Sequence, residues 1–134
     1  MEKMAADFAC IDTDICIDFL RKKKPGLDLF TKLMAQYNPC LTAITTFELH
    51  LGQMKMKRRD ALDDFISQFT FLPFDYPASA AAAKIQAALD EKGAGIGVPD
   101  ILIAGICISR NIPLLTLNTK HFPRVPELRL IPIP

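Results

Sequence analysis

With 134 residues, half of them apolar, the chain can bury a core without disulfides or structural metal and is read as one domain, 1–134. Its 16 basic and 15 acidic side chains nearly cancel, which argues against a disordered chain and against a uniformly cationic nucleic-acid binder. Cys10, Cys16, Cys40 and Cys107 lie in apolar runs without CxxC or CxxH spacing, so they predict buried thiols in a reducing compartment and no zinc site.

The run "DFACI" has strand length, and "DTDICIDFLRKKK" follows it with Ile15, Phe19 and Leu20 at helical spacing, a basic last turn and Pro25-Gly26 as the stop. A second helix is predicted over "GLDLFTKLMAQY", with Leu27, Phe30, Leu33 and Met34 on one stripe. "PCLTAI" reads as a strand, and "TTFELHLGQMKM" and "RRDALDDFISQF" read as two helices that can form a hairpin. "TFLPF" is a brief strand, "ASAAAAKIQAALDEKG" an alanine-rich helix stopped by Gly93, and "VPDILIAGICISRN" a further helix. "IPLLTL" is a strand, and "LRLIPI" an edge strand, because Pro132 has no ladder donor. Helices between short apolar strands predict an α/β fold of three layers, with a central, mostly parallel sheet of about four to five strands flanked by helices. No segment approaches the roughly 18 uncharged apolar residues of a membrane span, and "MEKMAADFAC" lacks a leader's pattern, so a cytoplasmic protein with no membrane contact is expected.

In such a sheet, ligands bind outside the carboxyl ends of the strands. Asp12 ends the first apolar run, Glu48 follows "CLTAI" by one turn, Asp100 opens "PDILIAGICI", and Thr116 and Asn118 follow "IPLL". Each has an ordinary alternative as a helix-start residue. Thr45 to Glu48 matches a capping box, Asp12 or Thr13 can cap the first helix, Asp100 suits a helix dipole, and Asn118 or Thr119 can cap a short helix before Phe122. Caps, however, need no shared location, whereas these residues fall on one rim. Gly52 and Ala104, four residues beyond Glu48 and Asp100, also leave room on the acids' own helix faces. Converging carboxylates repel one another unless a cation neutralises them, and oxygen donors without His or Cys suit Mg²⁺ or Mn²⁺. The chemistry that follows is phosphodiester hydrolysis by metal-activated water.

The segments "CIDTDICIDFL", "LTAITTFELHLG" and "IGVPDILIAGICISRNIPLLTLNTKHFPRV" together resemble the PIN-domain ribonucleases, specifically the VapC-type toxins of toxin–antitoxin pairs, from about Phe8 to Ile133. That resemblance implies a PIN fold and a Mg²⁺- or Mn²⁺-dependent endoribonuclease acting on RNA. The implied metal residues are Asp12, Glu48 and Asp100. Asn118 and Thr116 fill the family's further polar positions, and their implied role is to position the metal's waters. Asp14 stands where the family often carries Asn, which adds a possible fourth carboxylate ligand. The implied partners are an RNA substrate, a VapB-like antitoxin whose C-terminal segment covers the cleft, and a second copy of the chain in a homodimer.

Substrate contacts are expected from two basic clusters, with Lys23 and Lys24 in "RKKKP" and Lys57, Arg58 and Arg59 in "KMKRRD", set against the ordinary reading of solvated helix ends. "GAGIG" follows a helix and lacks GxGxxG spacing, so it is a helix stop and connector, not a dinucleotide loop. Two rival functions are a catalytically inactive PIN-fold scaffold that binds a partner or nucleic acid, and a DNA-directed nuclease of related architecture.

Overall fold

Successive side chains of a strand face opposite sides of its sheet, and in this protein that alternation divides the core in two. A computed structural model describes residues 7–55 and 62–134. In chain order the elements are β1 (Phe8–Ile11), α1 (Thr13–Leu20), α2 (Gly26–Met34), β2 (Asn38–Thr42), α3 (Ala43–Lys55), α4 (Leu62–Ser67), β3 (Thr70–Leu72), α5 (Tyr76–Lys92), α6 (Val98–Arg110) and β4 (Leu114–Leu115), followed by a 3₁₀ turn at Phe122–Arg124. Among the described residues the strands form one four-stranded, all-parallel sheet in the order β3-β2-β1-β4.

Cys10, Cys40, Leu72 and Leu114 face one side, where they pack with Ala78, Ala82, Ile85 and Leu89 of α5 and with Ile101, Ala104 and Cys107 of α6. Ala9, Ile11, Leu41 and Leu115 face the other, against Ile15 of α1, Phe30 and Leu33 of α2, Leu49 of α3 and Leu62 and Phe65 of α4. This is the three-layer arrangement that the sequence predicts. Phe19, Phe30, Phe65 and Phe69 stack within the second layer, with ring centroids 4.3 Å apart for Phe19 and Phe30 and 4.9 Å for Phe65 and Phe69. All four cysteines are buried and unpaired. The Cys107 thiol and burial raise Cys10, and burial lifts Cys40 to about 11, so these thiols stay protonated and inert near neutrality.

Two close approaches lock the helical layers. A Cβ on Gly105 of α6 would lie 2.8 Å from the Ala78 carbonyl oxygen and 2.8 Å from the Ala82 Cβ, so only glycine lets α6 sit this near α5. Asp75 caps α5 by accepting the Ala78 N–H at 3.1 Å, and it also takes Arg110 at 2.7 Å, tying the start of α5 to the end of α6.

The structure shortens several expected elements. The helix predicted through Lys24 ends at Leu20, because Lys22 turns left-handed (φ 58°) and the Lys23 and Lys22 N–H groups close back onto the Asp18 and Phe19 carbonyls. The basic run therefore forms a turn beyond α1 instead of its last turn. The strand predicted over "IPLLTL" keeps only Leu114 and Leu115, since the Thr116 hydroxyl accepts the Asn118 N–H at 2.9 Å and bends the chain off the sheet. The expected edge strand "LRLIPI" reduces to one parallel bridge between Leu130 and Leu114, ended by Pro132, which cannot donate. The predicted α3–α4 hairpin runs through residues 56–61, outside the described residues.

Candidate active site

The chain runs from β1 outward through β2 to β3, then returns to lay β4 against the other side of β1. This change of direction opens a crevice at the carboxyl ends of β1 and β4, where a parallel sheet binds its ligands. Register decides what meets there. Ile11 pairs with Leu115, and the Asp12 N–H donates to the Leu115 carbonyl at 2.9 Å, which sets the next residues, Asp12 and Thr116, side by side.

Asp12 is 5% exposed and caps α1, with Oδ1 accepting its neighbour Thr13's N–H at 2.8 Å. Its Oδ2 accepts the Thr116 hydroxyl at 2.6 Å. Burial and the Asp14 carboxylate push the Asp12 carboxyl up to about 7, against the opposing hydrogen bonds from Thr116 and Thr13 and with a further push from Asp100. Among the described residues no lysine or arginine figures in that balance. Asp14 accepts the Ile15 N–H at 2.7 Å and the Leu117 N–H at 3.2 Å, which ties the start of α1 to the exit of β4. Burial raises it too, and Asp100 adds to the effect.

Asp100 lies in the first turn of α6, behind Pro99. Its Oδ2 accepts the Asn118 Nδ2–H at 3.1 Å. Glu48 reaches the group through a hydroxyl: Thr13 Oγ1 lies 2.7 Å from Glu48 Oε1 and 3.0 Å from Thr45 Oγ1, and Thr45 lies 3.4 Å from the Thr42 hydroxyl. A hydroxyl has one proton, and the shorter contact gives Thr13's to the carboxylate. The Thr42 hydroxyl accepts the Thr45 N–H at 3.1 Å and so caps α3, the task a capping box would have given to Thr45 and Glu48. Glu48 is thereby free of capping duty and faces Thr13. A Cβ on Gly52, one turn further on, would meet nothing within 4 Å.

Asp12, Asp14, Asp100, Thr116 and Asn118 thus share one crevice, and Glu48 joins them across Thr13. Thr116 and Asn118 each hydrogen-bond a carboxylate directly, so as placed they orient the acids themselves. Lys23 and Lys24 lie beyond the far end of α1, about 12 Å of helix from Asp12. Lys24 pairs with Asp28 at 3.6 Å, both side chains being exposed. Lys57, Arg58 and Arg59 fall outside the described residues.

Three participants escape the sequence reading. Thr13 and Thr45 look like helix-start residues, and only packing of α1 on α3 makes them a bridge. His121 looks like a loop histidine, yet its Nδ1 lies 3.2 Å from Asn118 Nδ2 and 3.4 Å from Asp100 Oδ2. Its one sequence signal is its place three residues after Asn118, where the Asn118 side chain can accept its N–H, as it does at 3.2 Å.

Among the described residues no three His, Cys, Asp or Glu side chains are disposed, as placed, to grip one metal ion. Thr13 donates to one oxygen of Glu48, and Asn118 to one oxygen of Asp100. The donor chemistry still fits a hard divalent cation. The oxygens come from carboxylates, and the buried Asp12 carries a raised pKa among like charges, with no lysine or arginine of the described residues offsetting them. Asp12, Asp14, Asp100 and Glu48 are the carboxylates that the crevice brings near one another.

Comparison with known proteins follows the same lines. The PIN domain family matches residues 9–128. A ribonuclease VapC of Rickettsia bellii is 37% identical over 92% of this chain and 95% of its own length. A tRNA(fMet)-specific endonuclease VapC of Shigella flexneri is 33% identical over 89% and 92% respectively. The crystal structure of VapBC2 from Rickettsia felis, bound to a DNA fragment from its promoter, superposes with a TM-score of 0.81 at 26% identity, covering 92% of this chain and 97% of that one. The chain belongs to the PIN-domain family, among its VapC members.

Proposed function

We propose that this chain is a VapC-like toxin: an endoribonuclease, a single PIN domain over 1–134, that hydrolyses RNA phosphodiester bonds with Mg²⁺ or Mn²⁺. The observation that carries the reading is the meeting of Asp12, Asp14 and Asp100 at the β1–β4 crevice, with Glu48 joined to them through Thr13. The two VapC relatives, one named a ribonuclease and one an endonuclease specific for tRNA(fMet), support RNA, and tRNA in particular, as substrate. The complexes of VapC with VapB support an antitoxin of that kind as partner. A homodimer is part of the proposal.

In this reading Asp12, Glu48 and Asp100 hold the cation, with Asp14 as an additional carboxylate. When bound, the ion supplies a nucleophilic water and charge neutralisation at the phosphate. Thr116 and the Thr13 N–H fix Asp12, and Asn118 fixes Asp100. Thr13 holds the Glu48 carboxylate toward α1. To hold a cation Asp12 would have to give up its proton, which would link occupancy of the site to pH near neutrality. The Glu48 face beside Gly52 stays open for substrate.

The test is cleavage of an initiator tRNA transcript, a same-sequence DNA and total RNA, each with Mn²⁺, Mg²⁺ or EDTA. Metal-dependent cutting of RNA alone is expected. Failure to cut any RNA, together with no measurable Mn²⁺ binding by calorimetry, would select the inactive scaffold. Cutting of the DNA would select the DNA-directed nuclease.

A further inference from the structure

His121 meets Asn118 and Asp100 at the crevice and has no task in the reading above. Its side chain is 41% exposed. The proton arrangement on that ring can be worked out from its neighbour. The Asn118 Oδ1 accepts the backbone N–H of His121 at 3.2 Å, which settles which end of the amide is oxygen. The Nδ2 end then has two hydrogens and two acceptors in reach, Asp100 Oδ2 at 3.1 Å and His121 Nδ1 at 3.2 Å. An amide nitrogen only donates, so Nδ1 accepts. The 3.4 Å contact between Nδ1 and Asp100 is longer, and reading it as an ion pair would set an Nδ1 hydrogen against an Asn118 hydrogen. With Nδ1 accepting, the ring N–H is on Nε2, which makes no hydrogen bond to the described residues.

We propose that His121 is a substrate-binding residue whose Nε2–H donates to an RNA sugar-phosphate oxygen beside Asp100, with Asn118 setting the tautomer. This rests on the ribonuclease reading for the identity of the substrate. The crevice is built of acids that repel a phosphate, and Lys23 and Lys24 sit at the far end of α1. An imidazole N–H one ring-width from Asp100 offers the backbone a donor on a rim otherwise made of acceptors. Asn118 thereby serves two groups with one amide: it steadies an acid and aims a donor.

The experiment compares wild type with His121→Ala, His121→Gln and His121→Asn. RNA affinity is read by fluorescence anisotropy of a labelled initiator tRNA transcript in Ca²⁺, Mn²⁺ affinity by calorimetry, and cleavage in Mn²⁺. His121→Ala is expected to weaken RNA binding about tenfold, the scale of one hydrogen bond to a charged group. The glutamine amide reaches the position of Nε2–H and restores binding to within about threefold, while the asparagine amide reproduces only the Nδ1 side and does not. Mn²⁺ affinity stays unchanged throughout. The proposal is overturned if His121→Ala binds RNA like wild type, if asparagine rescues in place of glutamine, if Mn²⁺ affinity falls along with RNA affinity, or if wild type binds no RNA. Wild type that shows the expected binding pattern but cuts nothing retires the ribonuclease reading and leaves the His121 contact standing. Wild type that cuts RNA, with His121→Ala unaffected in binding, does the reverse.

Discussion

Thr116 Oγ1 lies 2.6 Å from Asp12 Oδ2, a bond between residues 104 positions apart that closes the β1–β4 crevice. Because both are nearly fully buried, Thr116 is the Asp12 carboxylate's substitute for water. Thr116→Val keeps the shape and deletes the donor. It should lower stability by about 1–3 kcal/mol, read by urea unfolding, because the Asn118 N–H loses its acceptor and Asp12 a donor. The same change raises the Asp12 pKa further, so the acid limb of the activity profile should move to higher pH. Thr116→Ser should restore both.

Asp12 sets a pH dependence of folding. Its carboxyl keeps a proton up to about pH 7 in the native state, against 3.8 as its ordinary value. Between those values the native state binds more protons than the unfolded chain, so stability is greatest below the lower value, declines as pH rises and levels off above the higher one. The decline is on the order of 4 kcal/mol for this group. Asp14, raised in the same direction, adds to it. Asp12→Asn in EDTA should flatten the curve and be the more stable protein at pH 8, while losing Mn²⁺-dependent cleavage. Unfolding free energies from pH 4 to 8 check the first statement, and retained cleavage would remove Asp12 from the site.

Cation binding should release protons. Titration with Mn²⁺ at pH 6.5 in buffers of different ionisation enthalpy should give heats that differ by a fraction of one proton, vanishing by pH 8.5 as Asp12 ionises beforehand. At a hundred times its dissociation constant the ion should add about 2.7 kcal/mol of stability. Asp100→Asn should reduce that gain at equal Mn²⁺ concentration, and an undiminished thermal shift would place the ion elsewhere.

Gly105 and Gly52 predict opposite outcomes for one substitution. Gly105→Ala drives a methyl against the α5 backbone, with a cost of about 1–3 kcal/mol or more. Gly52→Ala in α3 meets nothing within 4 Å and should gain up to about 1 kcal/mol from helix propensity. Thermal melts of the two variants side by side read the difference.

Lys22 holds a left-handed conformation at φ 58° to end α1. Lys22→Gly should therefore stabilise the protein by about 1 kcal/mol, visible as a raised melting temperature, without effect on cleavage.

Most of this architecture is legible in the amino-acid order. Short apolar runs separated by helical stripes dictate a parallel sheet covered on both faces, because strands without a polar face must be buried on both sides. That arrangement alone places Asp12, Thr116 and Asn118 at a strand exit and Asp100 at a helix start. The local signals fail where two elements compete for the same residues. Leu20 ends α1 because a non-glycine residue accepts a left-handed turn, and β4 stops at Leu115 because Thr116 captures the Asn118 N–H. Tertiary structure alone decides the rest. Crossing from β3 back to β4 sets Asp100 against Asp12 and Asp14, and packing of α1 on α3 turns Thr13 from a helix-start residue into the link to Glu48. The Asn118 amide, held by the His121 backbone, brings Asp100 and the imidazole Nδ1 to one nitrogen. Periodicity specifies what each segment is, because burial is a property of faces. Which side chains touch depends on register and crossover, and distances of a few ångströms between remote segments are written only in the folded chain.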